Sequence, residues 1–429
     1  MPAIDKKVSL VKNTSYQVVL PFYIYAALSF LVGCLLLLTS SAAFTQHYFH
    51  PQTLAVTHTM ALGWGTMMIL GAGHQLLPVL IEGRLYSNAL AWLSFIFAGT
   101  GIPLLVAGFY TFNMGWPAQS GGIFINAAVV CYLINIGVSL VKSKHENVHA
   151  VFVFTATLWL LLTTLFGLLL VYNFSLHIFS KSSLEYLSLH AHLGIAGWFL
   201  LMVMGVGSRL IPMFLISKFS NAKWLWVIYA LVNTGLISFM ILHIYLPRPT
   251  LYLFPVATMV SALLLFAWYC RKAFVQRIRK QVDDQLKISL LSVLMMVLPL
   301  IVLIITLILL VSGKDNSRMV LLYGFSIFFG WITAIIFGMT FKTLPFIIWN
   351  KVYHVKAGLG KTPNPKELFN SKIFAAMGIA YLTGFVLFAT GIIFFGMMVL
   401  KIAALLLLVA AILYNWNVFK IILHKPLKP

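Results

Sequence analysis

Three histidines lie inside long apolar runs at a common depth: His58, His192 and His243. His58 and His192 stand near the starts of their runs. His243 stands near the end of a run that travels the opposite way, so all three converge on one layer, outer by the loop charges given below. An ionisable side chain inside a spanning segment is costly and usually faces a functional interior. Neutral imidazole is also the commonest side-chain ligand for transition metals and for haem iron. The three form a candidate ligand set, set against a plainer reading in which each only hydrogen-bonds a neighbouring helix. In His190-Ala191-His192 the two imidazoles are about 200° apart around a helix and face different surroundings. His47, His50 and His177 read as loop residues.

His74 cannot join that layer. It follows His58 by sixteen residues, about 24 Å along a helix and about 160° around it. Its neighbour Gln75 shares a motif position with Arg209 and Lys342, each just ahead of a Leu-Pro or Ile-Pro turn. With His74 these residues could form a basic inner ring for an anion or a quinone; alternatively Arg209 and Lys342 reach to the inner headgroups. His145, His149, His354 and His424 also fall toward that inner face. The eight acidic residues, Asp5, Glu82, Glu146, Glu185, Asp283, Asp284, Asp315 and Glu367, fall in loops or at helix ends. With no carboxylate in mid-membrane, carboxylate metal cages and paired acid/base catalysts are excluded, and a proton-coupled transporter lacks its usual carrier.

The elements that must position these residues follow from composition. The chain has 429 residues, 61% hydrophobic and 9% charged, whereas a soluble domain carries about 25% charged residues. Apolar runs long enough to cross a bilayer fall near 17–40, 53–80, 87–110, 120–142, 149–172, 186–216, 222–245, 250–270, 287–312, 318–349, 372–394 and 396–423. This predicts an all-α membrane protein of twelve transmembrane helices in one domain. With the N-terminus inside, only Lys181, Arg248, Lys314, Arg318 and Lys401 of the 29 basic residues fall outside. That asymmetry places both termini in the cytoplasm. The net charge of +21 then reflects inner loops, and the run from Arg271 to Lys280 suits anionic lipid rather than nucleic acid. Cys34, Cys131 and Cys270 lie on three helices without metal-site spacing. The first run is too long for a signal peptide and reads as a retained helix.

A motif recurs. His58-Thr-Met-Ala-Leu-Gly63-Trp64 is followed by Gly71-Ala-Gly73 and Pro78; His192-Leu-Gly-Ile-Ala-Gly197-Trp198 by Gly205-Val-Gly207 and Pro212; Phe325-Ser-Ile-Phe-Phe-Gly330-Trp331 by Gly338 and Pro345. The copies are 134 and 133 residues apart (63 to 197, 197 to 330). This predicts three pseudo-symmetric four-helix repeats, roughly 17–142, 149–270 and 287–423, all with the same orientation.

Twelve helices, an inner N-terminus, three four-helix units and outer histidines on helices two, six and seven together resemble the haem-copper oxidase subunit I superfamily. The length and His190-Ala-His192 also look like its smaller relatives, the NnrS-type haem and copper membrane proteins. The resemblance implies a haem of b type and copper, with a cytochrome or quinol as electron donor, in a bacterial inner membrane. His58 matches the low-spin haem ligand of helix two. His192, or His190, matches the copper ligand of helix six, and His243 the histidine pair of helix seven. Helix ten carries Tyr323 and Phe325 where the family has a His-x-His pair, and Gly194 and Ala196 stand in the region of the oxidases' helix-six tyrosine. An oxygen-reducing centre with two haems cannot be assembled, whereas one haem or one copper ion can. The expectation is a haem- and copper-binding protein that handles electrons or a diatomic gas, O2 or NO. The alternatives are a twelve-helix transporter for a metal ion or small solute and a non-catalytic partner of a respiratory complex.

Overall fold

The computed structural model describes residues 14–143, 147–278, 283–354, 362–394 and 396–426. His145, with Lys144 and Glu146 beside it, lies outside them, as do Asp5, the first three lysines, Arg279 and Lys280. Among the described residues twelve helices are long and apolar enough to cross a membrane. They are α1 Tyr16–Thr39, α2 Pro51–Leu80, α3 Asn88–Tyr110, α4 Trp116–Val141, α5 Val148–Leu176 and α6 Leu187–Leu215. The second half comprises α7 Ala222–Tyr245, α8 Pro249–Val275, α9 Asp284–Val311, α10 Ser317–Tyr353, α11 Ser371–Phe394 and α12 Met397–Ile422. Each matches a predicted run to within five residues. Helix is the only open-ended element that satisfies every backbone group without water.

Polar residues at the rims start the helices. Asn147 Oδ1 accepts from His149 N at 2.9 Å to open α5, and Ser87 Oγ accepts from Leu90 N at 3.2 Å near the start of α3. Such caps satisfy amide donors that a helix leaves free. Within the bundle α2, α6 and α10 are the most buried helices and α8 and α9 the least. The motif-bearing helices therefore form the interior.

Each of the three inner helices widens into a π-helical stretch: Thr59–Thr66, Leu193–Leu200 and Ser326–Ile332. Their starts are separated by the offsets of the sequence motif (59 to 193, 193 to 326). A π-helical turn is rare and commonly sits at a functional site. Here each stretch holds a buried tryptophan, Trp64, Trp198 or Trp331. Close packing around this interior relies on glycine: a Cβ at Gly121 of α4 would come 2.5 Å from Leu105 N of α3.

Candidate functional site

A cavity of about 880 Å³ opens among the inner helices, toward the end opposite the basic loops. His58, His190, His192, His243, Tyr323 and Trp331 all line it. Most of its wall is leucine, phenylalanine and other apolar side chains, the composition of a small-molecule or cofactor site.

The imidazoles fall into two pairs. The rings of His58 and His190 have centroids 6.3 Å apart and planes within 20° of parallel. His58 Nδ1–H donates to Leu54 O at 2.8 Å, one turn back on α2. That bond fixes the tautomer and leaves Nε2 as the ring's lone-pair nitrogen. His190 Nδ1 is buried without a hydrogen-bond partner, and the ring lies over Gly167 of α5, where a larger residue would collide with it. In the second pair His192 Nδ1–H donates to Ser188 O at 2.8 Å, leaving Nε2 3.4 Å from the Tyr323 hydroxyl. These two rings are 5.7 Å apart with planes within 25°. The motif offsets carry His58 to His192 (58 to 192) and His190 to Tyr323 (190 to 323). A third step would carry His192 to Phe325, so polar chemistry ends at two pairs.

His243 does not complete a ligand set with His58 and His192. Its Nε2 meets Glu185 O at 3.0 Å and its Nδ1 meets the Tyr252 hydroxyl at 3.2 Å, which engages both ring nitrogens. Among the described residues no three histidine, cysteine or acidic side chains gather as a metal group.

The inner residues are dispersed. His74 is fully buried between Phe22 and Tyr132, with ring centroids at 5.4 and 5.1 Å. Gln75 Oε1 is buried without a partner, and Arg209 is exposed. Lys342 neither joins a ring of free charge nor extends freely to headgroups: its Nζ lies 2.7 Å from Asp283 Oδ2. None of the four lines the cavity. His149, on α5, instead meets Ser208 Oγ at 2.8 Å.

A second polar set links the three inner helices at or beside their π-helical stretches. Trp64 Nε1–H donates to Thr333 Oγ1 and Trp198 Nε1–H to Thr66 Oγ1, both at 3.0 Å. The same offset places Leu200 where Trp331 would need a hydroxyl, and Trp331 Nε1 is buried with no partner. Sequence reading missed this set. Its signal was the threonine two residues beyond Trp64 and Trp331, replaced by leucine after Trp198. Comparison of the chain with protein-family models and with curated proteins returns no match.

Proposed function

We propose that the chain is a multi-pass membrane protein that binds one haem and uses it to handle electrons or a diatomic gas. In this reading it is a divergent relative of the haem-copper oxidase subunit I superfamily. The observation that carries it is the His58–His190 pair. Two imidazoles this close could both be turned toward one ion, at metal–nitrogen distances of about 2.0–2.1 Å. The two rings stand at 6.3 Å and nearly parallel, inside an apolar cavity of about 880 Å³.

The donor chemistry agrees. A hydrogen bond from the far ring nitrogen to a carbonyl is the usual support of a metal-bound histidine, and His58 makes one to Leu54. His58 and His190 would hold a haem iron there, and the group would supply one-electron exchange or binding of a diatomic gas. The chain's own residues would orient the ligand through His58 and His190 and exclude water with their apolar surroundings. Among the described residues Glu185 is the only carboxylate lining the cavity, which favours electron handling or gas binding over proton-consuming oxygen reduction. Copper fits less well, since His192 Nε2 has only Tyr323 beside it and both nitrogens of His243 are engaged. Copper is therefore not part of the proposal. The excess of basic residues in one set of loops supports cytoplasmic termini and, with the superfamily reading, a bacterial inner membrane.

The test is an optical spectrum of the detergent-purified protein, oxidised and dithionite-reduced, with metal analysis. A Soret band with sharp reduced α and β bands, at about one iron per chain, is expected. A colourless, iron-free protein after haem-replete expression overturns the proposal and leaves solute transport as the reading to test.

A further inference from the structure

We propose that an anionic phospholipid seats one acyl chain in the seam between α8 and α9 and rests its phosphate on Arg248 and Lys314. The inference rests on the spanning fold and not on the haem. Elsewhere in the bundle α4 packs along α5, and α12 along α1. Next in that series, α8 and α9 do not pack along one another among the described residues; contact is concentrated where the turn Pro249–Tyr252 meets α9. The cavity extends into the gap. Val256, Met259 and Leu263 of α8 form one wall, and Leu300, Leu303 and Leu307 of α9 the other. These are the two least buried helices of the twelve, so the gap faces the hydrocarbon of a surrounding bilayer.

The walls select an acyl chain. Beside those aliphatic side chains Thr306 of α9 lines the gap, and its hydroxyl already donates to Val302 O at 2.7 Å. A partner helix, about 10 Å across, would need α8 and α9 parted along their whole length, whereas the turn closes one end. The rim at that end selects the headgroup. Arg248 stands between Pro247 and Pro249, which both line the cavity. The proline that follows holds Arg248 extended, at φ −104° and ψ 119°. Across the gap, α9 ends at Gly313 with φ 66°, and Lys314 N bonds back to Leu309 O at 2.9 Å. This left-handed cap sets Lys314 at the same rim, between the cavity-lining Leu310 and Asn316. Both cations are exposed. The carboxylates at this end are engaged elsewhere: Glu185 lies 4.0 Å from Lys181, and Asp315 accepts from Ser317 N and Oγ. Among the described residues no ion pair forms to Arg248 or Lys314. A phosphodiester supplies that negative charge at headgroup depth, with its acyl chain running down the aliphatic walls.

The test uses the full-length protein in phosphatidylcholine nanodiscs doped with phosphatidylglycerol that carries a diazirine in one acyl chain. A diazirine phosphatidylcholine is the parallel probe, and crosslinks are mapped by peptide mass spectrometry. Phosphatidylglycerol should label the seam walls at Met259, Leu263 and Leu303 in preference to phosphatidylcholine. Unlabelled phosphatidylglycerol should compete, and inorganic phosphate should not. Leu264 and Ile301, 64% and 48% exposed on the lipid side, should be labelled alike by both probes. Arg248→Gln and Lys314→Gln should each lower the seam preference for phosphatidylglycerol about five-fold, the worth of one basic residue near a membrane surface. Leu303→Trp fills the gap and should lower seam labelling by both probes about ten-fold, with Leu264 unchanged. Equal seam labelling by the two probes, or a preference unchanged in both charge variants, overturns the inference. So does labelling confined to the lipid-facing residues, and so does competition by inorganic phosphate, which would mark an anion site without the lipid. If Leu303→Trp does not fold, the two exposed charge variants decide.

Discussion

Trp198 donates its indole hydrogen to Thr66 at 3.0 Å, joining the π-helical stretch of α6 to the end of that of α2. Trp64 repeats the bond to Thr333 on α10. These are side-chain bonds between buried helices, where the hydrophobic effect contributes little to association and packing and polar contacts decide it. Thr66→Val and Thr333→Val keep the shape and remove the acceptor. Each should lower stability by about 0.6 kcal/mol, the average for interhelical hydrogen bonds in membranes, and by no more than about 1.7 kcal/mol. Thr306 bonds only to Val302 of its own helix, so Thr306→Val should change stability by less than about 0.5 kcal/mol. Equal losses in all three variants, in thermal or denaturant unfolding in detergent, would contradict this account.

The two histidine pairs predict unequal phenotypes. His58→Ala or His190→Ala removes one of two facing imidazoles, and each should abolish the six-coordinate haem spectrum. His192→Ala should retain it, because the His192 ring faces Tyr323 rather than His58. The readout is the reduced-minus-oxidised spectrum per mole of protein. Haem loss in His192→Ala with full retention in His190→Ala would reverse the ligand assignment.

The spans were legible because a spanning helix needs only length and apolarity, and the rims carry their own caps at Ser87 and Asn147. The motif offsets also locate the π-helical stretches, although nothing in the residue types announces a π-helix. The site was legible in part. His58, His190, His192 and His243 share a cavity, as depth along the helices suggested. The partner of each depends on helix rotation, which a heptad-scale pattern fixes poorly when lipid and core are both apolar. The sequence therefore grouped His58 with His192 and His243, whereas the fold turns His58 toward His190 and leaves His243 to Glu185 and Tyr252. Lys342 was misjudged for a related reason. Its partner Asp283 lies 59 residues away, before the start of α9, and no local pattern pairs them.

That ion pair carries its own prediction. The side chains are 20% and 29% exposed, between a solvated pair of little value and a buried one whose rupture is severe. Asp283→Asn leaves the largely buried Lys342 ammonium without this counter-charge and should cost about 1–3 kcal/mol. Lys342→Met removes the charge and keeps most of the side-chain volume, so adding it to Asp283→Asn should recover part of the loss. A double variant as unstable as the sum of the singles would show that the pair is not coupled.

The last prediction concerns pH. His424, just beyond α12, meets the Tyr353 hydroxyl at the end of α10 through Nε2 at 2.9 Å. Burial first, then the nearby Lys420 ammonium, holds its pKa below the ordinary histidine value. The unfolded chain therefore takes up this proton at a higher pH than the folded one. Linkage makes the contribution of His424 full above about pH 6.5 and progressively lost as pH falls through the depressed folded-state value. A His424→Gln variant retains a hydrogen-bonding side chain and cannot titrate. The wild type should lose Tm relative to it between pH 7 and the more acidic side of that window, with no divergence between pH 7 and 8. A constant difference across the whole range would show that the His424–Tyr353 contact is insensitive to protonation.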